Sequence, residues 1–398
     1  MACTWKYRMT LPLIVALAIT GCQSSSPWVR TRVDLAFDEI HMVTKYHGWA
    51  IVSGGVFRTL DGGVTWWPVT PPGVKKVSNS SAGWFFMDAT TAWLLVDGER
   101  AAGVTASDGV LFSTTDGGRH WSWSEVPFAS ARLFIGRDEN RTIGWALKRY
   151  GPASGSEPVE LYRMENDGAW TLIHRGLGPS DVTDRKDSLP FGGLKRAVGF
   201  LPDGKTGWVT VEYRGQDQLG FYMTTDGGRT RRAPSLPIPP HLEGSIIEVL
   251  PPRFSDEAVA ESGILPVIFH SVREGGQYGE FTAVFFVSET GGVSWRAASS
   301  LRAKGHRPLI AVADAANWWV LADSFAESKL CATHDAGATW AEVGNVRQAL
   351  QIQSVTPADG WALSDENGQS VLLRTIDGGK NWLRVPVRRK AVRSLQLD

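Results

Sequence analysis

The chain has 398 residues, 43% of them hydrophobic and 10% aromatic, enough apolar side chain for one large or two medium packed domains. Lys+Arg and Asp+Glu balance at 41 each, which excludes the strongly basic footprint of a nucleic-acid binder. Gly at 43 and Trp at 18 stand out, and a repeated turn described below accounts for much of both.

Taken in chain order, residues 1–21 read as a targeting segment. Lys6 and Arg8 form a positive n-region, and Met9 to Thr20 is an apolar stretch too short to span a bilayer as a stable helix. The sequence Leu17-Ala18-Ile19-Thr20-Gly21-Cys22 resembles a bacterial lipobox. That resemblance implies diacylglyceryl modification of Cys22 and cleavage before it, where a plain secretory signal would leave no lipid. Gln23-Ser24-Ser25-Ser26-Pro27, within the segment 22–34, reads as a flexible tether. The expected location is therefore the extracytoplasmic face of a membrane, held through lipidated Cys22. Cys3 leaves with the leader and Cys22 would carry lipid, so Cys331 remains alone and no intrachain disulfide can form in the mature chain. Cys331 lies in an expected strand and reads as a buried small hydrophobe.

From Thr59 onward one turn returns seven times. Thr59-Leu60-Asp61-Gly62-Gly63-Val64-Thr65-Trp66 is followed by Thr114-Thr115-Asp116-Gly117-Gly118-Arg119-His120-Trp121 and by a shortened copy, Glu165-Asn166-Asp167-Gly168-Ala169-Trp170. Thr224-Thr225-Asp226-Gly227-Gly228-Arg229-Thr230 ends in Arg231, and Ser288-Glu289-Thr290-Gly291-Gly292-Val293-Ser294-Trp295 lacks the acid. Thr333-His334-Asp335-Ala336-Gly337-Ala338-Thr339-Trp340 and Arg374-Thr375-Ile376-Asp377-Gly378-Gly379-Lys380-Asn381-Trp382 complete the set. Each copy joins short apolar runs, so it is a β-hairpin whose glycines accept the positive φ of a tight turn. The acid takes backbone N–H bonds a few residues on and locks the turn, and the closing Trp is available to bury against a neighbouring unit. Asp61, Asp116, Asp167, Asp226, Asp335 and Asp377, with Trp66, Trp121, Trp170, Trp295, Trp340 and Trp382, are accordingly read as structural. A catalytic or Ca²⁺-binding acid used once needs no seven copies.

The turns close at positions 66, 121, 170, 231, 295, 340 and 382. Periods of roughly 40–65 residues with several strands each are the mark of a repeat array. A second marker precedes most turns: Gly48-Trp49-Ala50-Ile51, Ala92-Trp93-Leu94-Leu95, Gly144-Trp145-Ala146-Leu147, Gly207-Trp208-Val209, Asn317-Trp318-Trp319-Val320 and Gly360-Trp361-Ala362-Leu363. Ahead of it lies another apolar run, such as Ile40 to Val43 or Leu309 to Val312. Four antiparallel strands repeated seven times predict an all-β, single seven-bladed β-propeller. The blades fall at approximately 35–70, 80–127, 129–175, 195–236, 244–300, 307–344 and 348–388, followed by a C-terminal segment, 391–398. The fifth unit lacks the Gly-Trp marker and is interrupted by Pro251-Pro252. Either 387–398 or 28–37 must close the ring, and the sequence leaves both open.

With the Asp-Gly hairpins on one rim, binding falls to the opposite one, built by the long polar loops 97–108, 150–157, 178–195, 214–218 and 273–280. A glycosidase would need two carboxylates facing each other across the mouth. Asp88, Asp138, Asp203 and Asp314 follow inner strands and are the candidates, though acids in that place commonly serve turns. His41 and His47 flank one inner hairpin without a third ligand, so no metal site is assigned. No nucleophile elbow, phosphate loop or Cys-His spacing is present, and no catalytic residue or cofactor is assigned.

The repeated turn resembles the Asp-box, or bacterial neuraminidase repeat. With the Gly-Trp-Ala-aliphatic strands, a single seven-unit array and the lipobox, residues 35–390 resemble the photosystem II stability/assembly factor family. That resemblance implies a non-catalytic, chaperone-like protein that binds assembly intermediates of a membrane complex, with relatives that are exported lipoproteins. Sialidases share the box but would require an Arg-Ile-Pro motif near the first blade; Arg384-Val385-Pro386 in the last blade is the sole approximation. Two-propeller glucanases are about twice as long, and sortilin-type receptors have more blades and disulfide-rich companions. The expectation is a protein-binding scaffold, with a glycan-binding or glycan-cleaving propeller as the alternative.

Overall fold

The computed structural model describes residues 35–390, apart from 76, 78–82, 98–107, 139–140, 152–154, 166–167, 179–188, 202, 214–218, 255–261, 273–277, 304 and 323–327. Cys22, the expected leader and tether, the tail 391–398 and Asp167 lie outside the described residues. The strands group into seven sheets arranged as the blades of a propeller.

Blade 1 comprises β1 (Phe37–Met42), β2 (Gly48–Val52), β3 (Gly55–Thr59) and β4 (Thr65–Pro68). Blade 2 follows with β5 (Trp84–Phe86), β6 (Ala92–Asp97), β7 (Gly109–Thr114) and β8 (Ser122–Val126). Blade 3 holds β9 (Ala131–Asp138), β10 (Arg141–Arg149), β11 (Val159–Glu165) and β12 (Ala169–Gly176). In blade 4 only β13 (Leu194–Phe200), β14 (Gly207–Glu212) and β15 (Gly220–Thr224) are full strands; the fourth shrinks to a single Met223–Arg232 bridge. Prolines at 234, 237, 239 and 240 follow that bridge, and none can donate to a ladder.

Blade 5 breaks its inner strand at Pro251-Pro252 into β16 (Ile246–Val249) and β17 (Arg253–Phe254). Both halves pair with β18 (Gly263–Val272), which is joined in turn by β19 (Tyr278–Ser288) and β20 (Arg296–Ala303). Blade 6 is β21 (Leu309–Val312), β22 (Trp318–Ala322), β23 (Lys329–Thr333) and β24 (Ala341–Asn345). Blade 7 is β25 (Ala349–Ser354), β26 (Gly360–Glu366), β27 (Gln369–Thr375) and β28 (Leu383–Arg384), followed by β29 (Arg388–Arg389).

Second strands such as Gly48–Val52 are buried along their whole length, because each is covered on both faces by the neighbouring blades. The hydrophobic core is accordingly split into layers between successive blades. Trp49, Val56, Leu94 and Phe112 fill the junction of blades 1 and 2, and Trp361, Leu372, Phe37 and Trp66 that of blades 7 and 1.

Residues 388–390, just after the last hairpin, close the ring. They do not replace the outer strand of blade 1 but add a fifth, β29 running parallel to β4, with Arg388 N–H donating to Val64 O (2.8 Å) and Lys390 N–H to Trp66 O (3.0 Å). At the channel, two glutamines on β25 stand in for a strand edge. Gln351 Oε1 accepts Ile40 N–H (3.0 Å) while its Nε2 donates to Ile40 O (2.7 Å), and Gln353 does the same with Met42 (2.8 and 2.6 Å).

Candidate functional site

The repeated turn is held by one circuit of bonds. In blade 1, Thr59 Oγ1 donates to Asp61 Oδ1 (3.0 Å) and accepts Gly63 N–H (2.9 Å), while Asp61 Oδ1 accepts Thr65 N–H (2.7 Å). The circuit recurs with Thr114–Asp116–His120, Thr224–Asp226–Thr230, Thr333–Asp335–Thr339 and Thr375–Asp377–Asn381. Bonds from Thr339 to Asp335, and from Asn381 to Asp377, hold both carboxyls at a pKa of about 2. Blade 5 keeps the circuit without an acid. Ser288 Oγ accepts Gly292 N–H (2.9 Å), and the Thr290 hydroxyl accepts Ser294 N–H (2.9 Å) in place of a carboxylate.

The closing indoles anchor in two ways. Trp66, Trp295 and Trp382 donate to the second glycine of their own turn (2.7, 3.0 and 3.1 Å). Trp121 and Trp340 reach the preceding blade, at Val69 O (2.9 Å) and Ser299 Oγ (2.8 Å). Trp170 is half-buried and edge-on to Phe128 at 5.0 Å. Arg231, which replaces the indole in blade 4, lies over Tyr222 at 4.5 Å.

The second-strand tryptophans lean into the next blade. Trp49 stacks on Phe86 (5.3 Å between centroids), Trp145 on Phe200 (3.6 Å), and Trp361 Nε1 donates to Gly62 O (3.1 Å). In blade 6 register picks between two adjacent indoles: Trp318 pairs with Thr333 as Gly360 does with Thr375, so Trp319 occupies the repeat position. Ile264 fills that position in blade 5, since Gly263 pairs with Ser288. Across the strand from Trp49, Trp145 and Trp361 stand Arg58, Arg163 and Arg374, each over its indole at 5.0–5.7 Å. Each guanidinium fits against the first turn glycine of the next blade: Gly117, Gly227 and Gly62.

Because the first-to-second and third-to-fourth connections share one rim, the channel mouth at the other is built from inner-strand starts and second-strand ends. There Arg149 Nε donates to Glu157 Oε1 (2.7 Å), Arg196 Nε to Glu212 Oε2 (2.7 Å), and Arg307 clasps Glu248 with two bonds of 2.6 Å. Glu157 is fully buried, and its Oε2 accepts Lys195 N–H (2.8 Å). Lys195 Nζ is ringed by the carbonyls of Phe191, Glu157, Gly192 and Gly193 (2.8–3.2 Å). Burial brings the Lys195 pKa down to about 8 although Glu157 opposes the shift. Arg132 has no ion-pair partner among the described residues. Burial, then Arg149 and Arg196, lower its pKa, and the carboxylates of Glu157 and Glu39 oppose that shift.

Deeper in the channel, burial raises the Glu39 pKa against a Trp84 hydrogen bond, and burial with Arg253 lowers His41 to about 4. Both side chains reach channel solvent yet are enclosed by protein on most sides. A cavity of about 310 Å³ lies between the inner strands of blades 5 to 7, lined by Arg253, Arg307, Ile310, Val312, Gln351 and Gln353.

The other residues singled out from sequence are dispersed. Asp88, Asp203 and Asp314 each cap their own turn, accepting backbone N–H from Thr90 and Thr91, Lys205 and Thr206, and Ala316 and Asn317. The Asp138 side chain lies outside the described set, as does most of the long rim loops. His47 bonds Thr44 (3.0 Å) and His41 packs near Phe86 (5.8 Å). Cys331, expected to be buried, is half-buried on β23, where it pairs with exposed Glu342 of β24 at a register shift while Leu330 and Ala332 take the buried face; burial still raises its thiol pKa. Sequence reading missed Arg132, Arg196 and Arg307. Superposing the repeats at their inner strands, where all three stand within two residues of the strand start, would have found them.

No protein-family model and no curated protein matches the chain. Solved structures resemble it in fold. An uncharacterised protein, lmo1340 from Listeria monocytogenes EGD-e, is 9% identical with a TM-score of 0.50, covering 90% of this chain and 97% of its own. YCF48 bound to D1 peptide is 17% identical at a TM-score of 0.49, with 86% and 94% covered. An ulvan lyase of polysaccharide lyase family PL25 is 12% identical at 0.45, with 91% and 96% covered. At such identities the likeness is one of fold.

Proposed function

We propose that this chain is a non-catalytic, membrane-tethered extracytoplasmic propeller that binds a protein partner at the channel mouth opposite the Asp-Gly turns, as an assembly or stability factor does. The repeated turn is read as an Asp-box whose acids hold shape. The observation that carries the reading is Arg132: a channel-mouth guanidinium in no ion pair among the described residues, beside Arg149 and Arg196, which are paired, with Glu157 and Glu39 only partly offsetting the local positive charge. Such a group favours an incoming carboxylate, and its planar fork suits acidic side chains of a polypeptide. The described carboxylates of the mouth support the same reading, since Glu157, Glu212 and Glu248 are each engaged by an arginine instead of facing one another across a gap.

Affinity capture from detergent-solubilised membranes tests this, comparing the parent chain with Arg132→Ala. Loss of one captured protein by tenfold or more in the variant, at unchanged melting temperature, is the expected result. Equal capture by both sinks the assignment of the mouth. The alternative, a glycan-binding or glycan-cleaving propeller, has the 310 Å³ cavity on its side, a size that suits a small ligand. Turnover of aryl-glycosides, sialosides or uronate polysaccharides, lost on changing Glu39, would establish it. Lipidation is tested separately by mass spectrometry of the mature amino terminus at Cys22.

A further inference from the structure

Among the described residues two tryptophans are exposed, Trp67 at 40% and Trp123 at 56%. They are not scattered. Trp67 pairs across β3 with Arg58, whose guanidinium lies against Gly117 of blade 2, so Trp67 is on the face of blade 1 that looks at blade 2. Trp123 pairs across β7 with Phe112, which packs in the layer between blades 1 and 2, so it looks back at blade 1. Both indoles therefore lie on the facing sides of blades 1 and 2, on the outer strands of the ring. The closing strand supplies charge along the same edge: Lys390 Nζ lies over the Trp67 ring at 5.2 Å, Arg388 is exposed beside it, and Arg389 lies over Phe57 on the other face. Glu125 is the acid on the Trp123 face.

We propose that this edge of blades 1 and 2 is a docking surface for an anionic lipid bilayer. An indole is apolar over most of its area with one N–H donor, which suits it to the headgroup layer, and adjacent cations draw it to anionic headgroups. Lys390 on Trp67 keeps the charge at the height of the ring, as a snorkelling lysine does. The chemistry is that of a membrane surface more than of a protein interface. Two outer strands of four and five residues form a narrow edge, small beside the roughly 800 Å² per partner of a stable protein contact. The surface is distinct from the channel mouth and does not depend on what binds there.

The test is vesicle co-sedimentation of the full chain carrying Cys22→Ser, which removes the acceptor of the expected lipid while the leader contributes equally to parent and variants. Vesicles of phosphatidylcholine with one-third phosphatidylglycerol are compared with phosphatidylcholine alone, at low and high salt. The expected result is at least fivefold stronger partitioning to the anionic vesicles, abolished by high salt. It should be reduced at least fivefold in Trp67→Ser/Trp123→Ser and in Arg388→Gln/Lys390→Gln, and retained in Lys390→Arg. Thermal melts establish that the variants fold. Equal partitioning to both vesicles, or unchanged partitioning of the two double variants, overturns the proposal. Concentration-dependent dimerisation that the same variants abolish overturns it too, by giving this edge to a second copy of the chain.

Discussion

Gln353 on the last blade completes the backbone hydrogen bonding of Met42 on the first, accepting its N–H at 2.8 Å and donating to its carbonyl at 2.6 Å. The residues are 311 apart in sequence, so this contact exists only when the ring is shut. Gln353→Leu keeps the volume and leaves both Met42 groups without that partner. A loss of about 2 kcal/mol in denaturant-unfolding free energy is expected, since a buried polar group left unpaired costs roughly 1–3 kcal/mol. Removal of residues 387–398, which takes β29 with it, should lower the midpoint as well. An unchanged midpoint in both would place closure elsewhere.

The turn circuit predicts opposite effects at two of its copies. Asp377→Ala removes the acceptor of Asn381 N–H and of Thr375 Oγ1, and should lower the melting temperature by a few degrees. Thr290→Asp restores a charged acceptor where a hydroxyl now serves, and charge-assisted bonds are the stronger ones. A melting temperature equal to or above the parent's is expected there. A marked fall on Thr290→Asp would mean that the hydroxyl is required in blade 5.

Acid sensitivity should come in two windows. The folded-state pKa of His41 is depressed to about 4, so between the ordinary histidine value near 6.5 and 4 the unfolded chain binds the extra proton and stability falls as pH falls. Asp335 and Asp377 at about 2 hold stability that is complete above the ordinary carboxylate value near 3.9 and is lost as pH drops toward 2. Melting temperature against pH should therefore decline first below about 6.5 and again below about 4. His41→Gln should make the first decline shallower, His270 (also lowered by burial) keeping part of it, and leave the second; an NMR midpoint for His41 near 6.5 would refute the depressed value.

Gly62 and Gly378 hold the same turn position, with φ of 72° and 75°, so alanine strains the backbone at both. They differ in what a Cβ would meet. At Gly62 it runs into the Arg374 guanidinium of blade 7, whereas at Gly378 the nearest atom is Pro357 O at 3.4 Å. Gly378→Ala should cost about 1–2 kcal/mol and Gly62→Ala at least about 1 kcal/mol more, because it also unseats the arginine from Trp361. Equal losses would show that the arginine moves aside freely.

The repeat was legible because a turn is a local object. The spacing of Thr59, Asp61, Gly63 and Thr65 sets its bonds within seven residues, and the same letters recur down the chain. Where the letters fail the reading weakened: the copy at Ser288 to Trp295 looked worn, yet the Thr290 hydroxyl takes over the acceptor role, a substitution of one oxygen for another that residue names conceal. Asn317-Trp318-Trp319 named two candidates for one position, and only strand register put Trp319 there.

By itself the sequence determined the all-β class and the sevenfold count, since those follow from turn chemistry and two-residue strand periodicity within each unit. The tertiary structure alone decided how the ring closes, which guanidinium at the mouth forms no ion pair among the described residues, and that Trp67 and Trp123 lie on facing sides of neighbouring blades. These are relations between blades, and the distance in space between residues far apart in the chain is set by how the units pack, a quantity that no local pattern encodes.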